Sequence, residues 1–161
     1  MNKPEKCIQT EIVVEASIEE AWDAWTTENG IKSFLAPACD INLSPGGKYE
    51  IYFNPDAPYG EKGGEGLIIL AIDHLKMLSF TWNAPPSLPL VRNQKTHVTI
   101  RFEPEDEKLT RVLLNHNGWG SGGEWEKAFE YFEQAWGKIV LPRLKFRFDQ
   151  GPIDWSNPPR F

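Results

Sequence analysis

The sequence predicts an α+β fold: an antiparallel β-sheet of six to seven strands faced by one long C-terminal α-helix, with two short helices after strand one. Three observations predict it. Period-two alternation recurs in short runs from Cys7 to His116. A helical segment opened by a Ser-x-x-Glu cap stands between the first such run and the rest. Near the C-terminus, Trp125, Phe129, Phe132 and Trp136 recur at helical spacing and make one aromatic stripe.

The elements follow in order. Cys7 to Ala16 is rich in β-branched residues, with Ile8, Ile12 and Val14 at even spacing, and reads as the first strand. Ser17 and Glu20 then form a capping box, and the helix behind them carries Ala21, Trp22 and Trp25 on one face. A second short helix covers Glu28 to Leu35 and stops before Pro37. Cys39 to Leu43 is a short strand, Pro45-Gly46-Gly47 a turn, and Lys48 to Asn54 a strand with Tyr49, Ile51 and Phe53 on one face. Asn54 to Gly64, with two Pro and three Gly, reads as a long exposed loop. Glu65 to Asp73 and Met77 to Trp82 are the next strands, the latter with Leu78, Phe80 and Trp82 sharing a face. Ala84 to Asn93 holds three Pro and reads as a second mobile loop. Lys95 to Glu103 and Leu109 to His116 are the last strands; Val112, Leu114 and His116 share the interior face of the second. Gly118 to Gly123 reads as a flexible hinge into the long helix from Glu124, which Pro142 should kink or end. Residues 149–161 form an extended tail.

Length and composition suit one domain spanning residues 1–161 with an ample core: 40% of residues are hydrophobic and 25% charged. The net charge of -6 argues against nucleic acid as a partner, since phosphate neutralisation needs a basic face and only Arg143, Lys145 and Arg147 cluster. Met1 to Lys6 is polar with no apolar run behind it, and no apolar run is long enough for a bilayer. We therefore expect a cytoplasmic protein without integral membrane contact, and Cys7 and Cys39 as free thiols.

Four segments carry a resemblance to a known family. They are I-V-V-E-A-S-I-E-E-A-W-D-A-W-T at Ile12 to Thr26, P-G-G-K-Y-E at Pro45 to Glu50, L-S-F-T-W at Leu78 to Trp82, and T-R-V-L-L-N-H-N-G at Thr110 to Gly118. In this order the chain resembles the START-like, or SRPBCC, superfamily, in the branch named for the activator of the heat-shock-protein-90 ATPase. The resemblance implies a helix-grip fold, a curved antiparallel sheet wrapped around the long C-terminal helix with a hydrophobic cavity between them. The Tyr52 to Glu65 loop and the Pro85 to Gln94 stretch are longer than the family pattern, and the Trp155 to Phe161 tail looks additional.

Candidate site residues follow from facing and chemistry. Ligand pockets are mostly apolar with a few directed polar groups. Tyr49, Phe80, Trp82, Val112, Leu114, Trp125, Phe129, Phe132 and Trp136 are the expected cavity wall, and His116 its expected polar member. Buried imidazoles are also satisfied by plain structural partners, which is the blander reading of His116. His74, His97 and His116 match no compact zinc spacing, so neither a metal nor another cofactor is expected. A small hydrophobic or amphipathic molecule is the expected partner. The alternatives are an enzyme of cyclase or hydrolase type using His116, and a chaperone ATPase regulator suggested by the family name. The sequence leaves the oligomeric state open, a homodimer included.

Overall fold

A computed structural model describes residues 5–161. The first strand, β1 (Ile8–Val14), leads into α1 (Ile18–Thr26) and α2 (Glu28–Phe34). The strands β2 (Ala38–Ile41), β3 (Tyr49–Tyr52), β4 (Gly63–Gly64), β5 (Ile69–Asp73) and β6 (Met77–Trp82) follow. A short helix, α3 (Pro89–Arg92), precedes the long hairpin of β7 (Thr96–Asp106) and β8 (Leu109–Asn117). The C-terminal helix comprises α4 (Glu124–Ala135), one π-helical turn (Trp136–Val140) and α5 (Leu141–Gln150).

The strands form two antiparallel sheets, one in the order β1-β8-β7-β6-β5 and one in the order β2-β3-β4. An isolated bridge between Lys48 and Ile68 joins them, reinforced where the Tyr49 N–H donates to the Leu67 carbonyl. The apolar run from Glu65 is therefore broken: a Gly64–Leu67 segment leaves β4, and β5 begins only at Ile69, with a register shift before Ala71. Long β-sheets bend at such irregularities.

Local chemistry explains the first helices. The Ser17 hydroxyl accepts from Glu20 N–H at 3.1 Å, and the Glu20 carboxylate accepts from Ser17 N–H at 3.1 Å, so both halves of the capping box form. The apolar face of α1 is spent on the core: Trp25 meets Phe34 and Trp22 meets Phe102, both edge-on, at 4.9 and 5.3 Å. Tyr49 stacks on Phe80 at 4.3 Å and donates its hydroxyl to the Trp25 carbonyl at 2.7 Å. This end of the sheet is filled solid. At the preceding turn, Gly46 has φ of 81°, a left-handed geometry that the Pro45-Gly46-Gly47 sequence foretells.

Three sequence expectations change. Phe53 does not share the buried face of Tyr49 and Ile51; it lies beyond the end of β3 and is 42% exposed. The Gly118 to Gly123 hinge is exposed but has one close approach: a Cβ at Gly120 would lie 2.2 Å from the Trp125 indole nitrogen, so only glycine lets that ring approach. Of the two expectations for Pro142, a kink or an end, the end fails: the helix runs on through it to Gln150. A proline ring clashes with the carbonyl four residues earlier. The wider turn directly before it relieves that clash, and the Leu141 N–H reaches back to the Trp136 carbonyl.

Beyond Gln150 the chain is anchored to α2: Ile153 N–H donates to the Ser33 carbonyl at 2.9 Å, and the Trp155 indole N–H donates to the Lys32 carbonyl at 2.7 Å. Ile153 is buried. The additional tail therefore closes over the side of the helical layer.

Candidate functional site

The C-terminal helix crosses the sheet, and its contacts differ along its length. At its start, Trp125 and Phe129 pack edge-on against Trp119, at 6.2 and 5.2 Å. Trp119 in turn lies 4.3 Å from the His116 ring and donates its indole N–H to the His116 carbonyl. This end is filled. Further along, helix and sheet part, and a cleft of about 470 Å³ opens. Such a volume suits a small organic molecule.

One wall of the cleft is the helix, through Tyr131, Phe132, Ala135, Trp136, Ile139 and Arg143. The facing wall is built from Trp82 at the end of β6 with Asn83, Ala84 and Pro85 after it, and from Phe53 beyond β3 with Lys62 and Gly63 of the long loop. Tyr131 and Ile139 are 49% and 42% exposed, so the cleft opens to solvent rather than being enclosed. Tyr131, Ala135, Ile139 and Arg143 recur every four residues. In a straight α-helix each such step rotates about 40° past a full turn, so the row would wind off the cleft. The π-helical turn takes up more residues per revolution and holds the row in line. It does the same for the core row Phe132, Trp136, Val140 and Leu144, all buried.

The two long loops that border the cleft are tied together, and the first is exposed as expected. Arg92 at the end of α3 donates to the carbonyls of Gly60 and Gly63 at 2.8 and 2.9 Å, and also to the Ala84 carbonyl. It meets the Glu65 carboxylate at 3.3 Å, with both side chains almost wholly buried. Glu65 accepts in turn from the N–H groups of Gly60, Lys62 and Gly63. One buried ion pair thus gathers the backbone of the first loop and the start of the second.

Of the expected wall residues, the cleft is lined by Trp82, Phe132 and Trp136. Tyr49, Phe80, Val112 and Leu114 lie behind them, fully buried in the core. Trp125 and Phe129 lie at the filled end. His116 also sits behind the wall, fully buried, between Trp119, Phe132 and Trp136. The Trp136 indole N–H reaches its Nδ1 at 3.0 Å, and its Nε2 lies 2.7 Å from the Thr96 hydroxyl. Because Nδ1 accepts, Nε2 carries the proton and donates to Thr96, whose hydroxyl points on to the Trp82 carbonyl at 3.4 Å. Burial, with a smaller push from His97, lowers the His116 pKa to about 3. The ring is thus neutral and fully used, and it offers a ligand neither a lone pair nor a proton.

Sequence reasoning missed the loop wall and the second helical row. The row was visible as Tyr131, Ala135, Ile139 and Arg143 at a spacing of four. Its members are not a continuous apolar set, so no amphipathic pattern singles them out. Among the described residues no group of three or more His, Cys, Asp or Glu side chains is placed to hold a metal ion. Cys39 is a poor nucleophile, since burial raises its thiol pKa to about 11. No helix among the described residues is long and apolar enough to cross a membrane.

An antiparallel sheet gripping a long helix, with a solvent-open aromatic cleft at one end, defines a protein of the START-like helix-grip class. Residues 15–148 match the family described as activator of Hsp90 ATPase homolog 1-like protein, and the chain belongs to that family. Solved structures with the same fold include protein MLL2253 from Mesorhizobium loti, at 20% identity and TM-score 0.71, covering 92% of this chain and 100% of that one. The Aha1 dimer from Colwellia psychrerythraea matches at 20% identity and TM-score 0.68, over 91% and 98% of the two chains. PFC0360w, an HSP90 activator from Plasmodium falciparum, matches at 16% identity and TM-score 0.65, over 91% and 96%. At these identities the likeness is one of fold. No curated protein matches the chain.

Proposed function

We propose that the protein binds a small hydrophobic or amphipathic molecule in the cleft between its C-terminal helix and the two tied loops. The observation that carries this reading is the cleft itself. Trp82, Phe132 and Trp136 leave about 470 Å³ unfilled beside an otherwise close-packed core. Apolar surface left open to water in a cleft forgoes the hydrophobic burial that an apolar occupant would supply. The buried Glu65–Arg92 pair supports the reading, because it spends two desolvated charges on holding the cleft's loop wall in place. His116 does not favour acid–base chemistry, since both ring nitrogens are occupied. The family description and the activator from Plasmodium falciparum also support a chaperone-facing role, which is a second reading.

The test is binding of N-phenyl-1-naphthylamine, a neutral apolar fluorophore. Ile139 lines the cleft but is 42% exposed, so Ile139→Asp should fill the entrance with charge without disturbing the core. The expected result is saturable one-to-one binding that this substitution abolishes. Absence of binding, or binding that Ile139→Asp leaves intact, would refute the cleft as the site.

A further inference from the structure

The charged groups of the cleft are unbalanced. Its lining contains one carboxylate, Glu61, and two cations, Lys62 and Arg143. Glu61 is exposed at the loop tip. Arg143 is different. Among the described residues no carboxylate lies within ion-pair distance of it. Its Nε is shut off from solvent and has no hydrogen-bond partner. Burial lowers its pKa, so the cation is held at a desolvation cost that no neighbouring carboxylate among the described residues offsets. Its one evident partner is an aromatic face: the guanidinium carbon lies 5.2 Å from the centre of the Trp155 ring. Trp155 is itself fixed by its hydrogen bond to the Lys32 carbonyl. The tail therefore sets an aromatic ring against the guanidinium, while among the described residues no anion meets its donors.

Arg143 also stands at one end of the helical row. From Tyr131 to Arg143 the helix rises roughly 18 Å at 1.5 Å per residue. An elongated molecule lying along the row meets apolar and aromatic surface first and the guanidinium last. Resting on the reading of the cleft as a binding site, we infer that it takes an amphipathic monocarboxylate, with the apolar body against Trp82 and Trp136 and the carboxylate on Arg143. A planar, fork-shaped donor matches a carboxylate in bidentate fashion, which a lysine ammonium does not. Lys62 on the loop adds a diffuse positive field; its ammonium lies 5.2 Å from the centre of the Tyr52 ring.

The experiment measures binding of dodecanoate and dodecan-1-ol, below their micellar or solubility limits, by calorimetry on the full chain. The two probes share an apolar chain and differ in the charged end. The wild-type protein should prefer dodecanoate by roughly tenfold to a hundredfold, the range for a hydrogen bond to a charged group. Arg143→Gln should remove that preference by weakening dodecanoate alone, and Arg143→Lys should restore only part of it. Near-uv circular dichroism checks that the variants keep their tertiary packing, and the wild-type comparison requires no variant. Equal affinities in the wild type, or a preference that survives Arg143→Gln, overturn the inference. If the neutral fluorophore binds while dodecanoate shows no preference, the cleft stands and the inference falls. If neither probe nor the fluorophore binds, both fall together.

Discussion

Acidification should destabilise this protein through His116 before most carboxylates titrate. In the folded state the ring is buried, neutral and bonded at both nitrogens, and its pKa is lowered to about 3 from an ordinary 6.5. Between those values the unfolded chain binds a proton that the folded ring refuses. The stability tied to this group is therefore complete above about pH 6.5 and is lost as the pH falls towards 3. At about 1.4 kcal/mol per unit, going from pH 7 to pH 5 removes about 2 kcal/mol. That is a large share of the ~5–15 kcal/mol that holds an ordinary domain together. Urea unfolding at pH 7, 6 and 5 reads the loss directly. His116→Gln should be less stable at pH 7 by about 1–3 kcal/mol, because the indole and hydroxyl partners are imperfectly matched. Its stability should nevertheless fall less steeply with acid. An imidazole nitrogen spectrum showing His116 protonated at pH 5 in the folded protein would refute the reasoning. So would an identical slope in the variant.

Other substitutions probe the frame around the cleft. Arg92→Ala strands the buried Glu65 carboxylate and should cost about 3–5 kcal/mol in chemical denaturation; a loss below about 1 kcal/mol would mean that the loop knot is not formed in solution. Trp136→Ala removes a core side chain, 1% exposed, together with the donor to His116. It should cost about 3–5 kcal/mol, so thermal unfolding should register it as a folding defect and not only as a binding defect. Gly46→Ala places a side chain at φ of 81° and should cost about 1 kcal/mol, although no atom lies near the new methyl.

The fold was legible because its signals are local and redundant. Ser17 and Glu20 announce α1, and the alternation of Leu78, Phe80 and Trp82 announces a half-buried strand. The same holds for Val98, Ile100 and Phe102. The tilt of the long helix was not legible. The stripe of Trp125, Phe129, Phe132 and Trp136 says which face is apolar, but not that its first half meets Trp119 while its second half borders open space. The π-helical turn was hidden as well, because Pro142 alone reads equally as a kink or an end. His116 was rightly placed on the inward face, yet burial on a face does not say whether a ring looks into a cleft or is consumed behind it. That depended on Thr96 and Trp136, two residues brought to it only by sheet register and helix docking. The loops gave the least warning. Their Pro and Gly content describes chain geometry, and the Glu65–Arg92 contact that ties them spans a sequence gap that no local pattern reports.

The cleft can be tested residue by residue through the seven tryptophan indoles. Each gives its own N–H signal in a nitrogen–proton correlation spectrum, and they sample different parts of the fold. Trp82 and Trp136 line the cleft, whereas Trp22 and Trp25 are packed under α1. Titration with N-phenyl-1-naphthylamine should move the Trp82 and Trp136 signals to saturation and leave Trp22 and Trp25 in place. Unmoved signals for Trp82 and Trp136, or movement led by Trp22 and Trp25, would contradict the account.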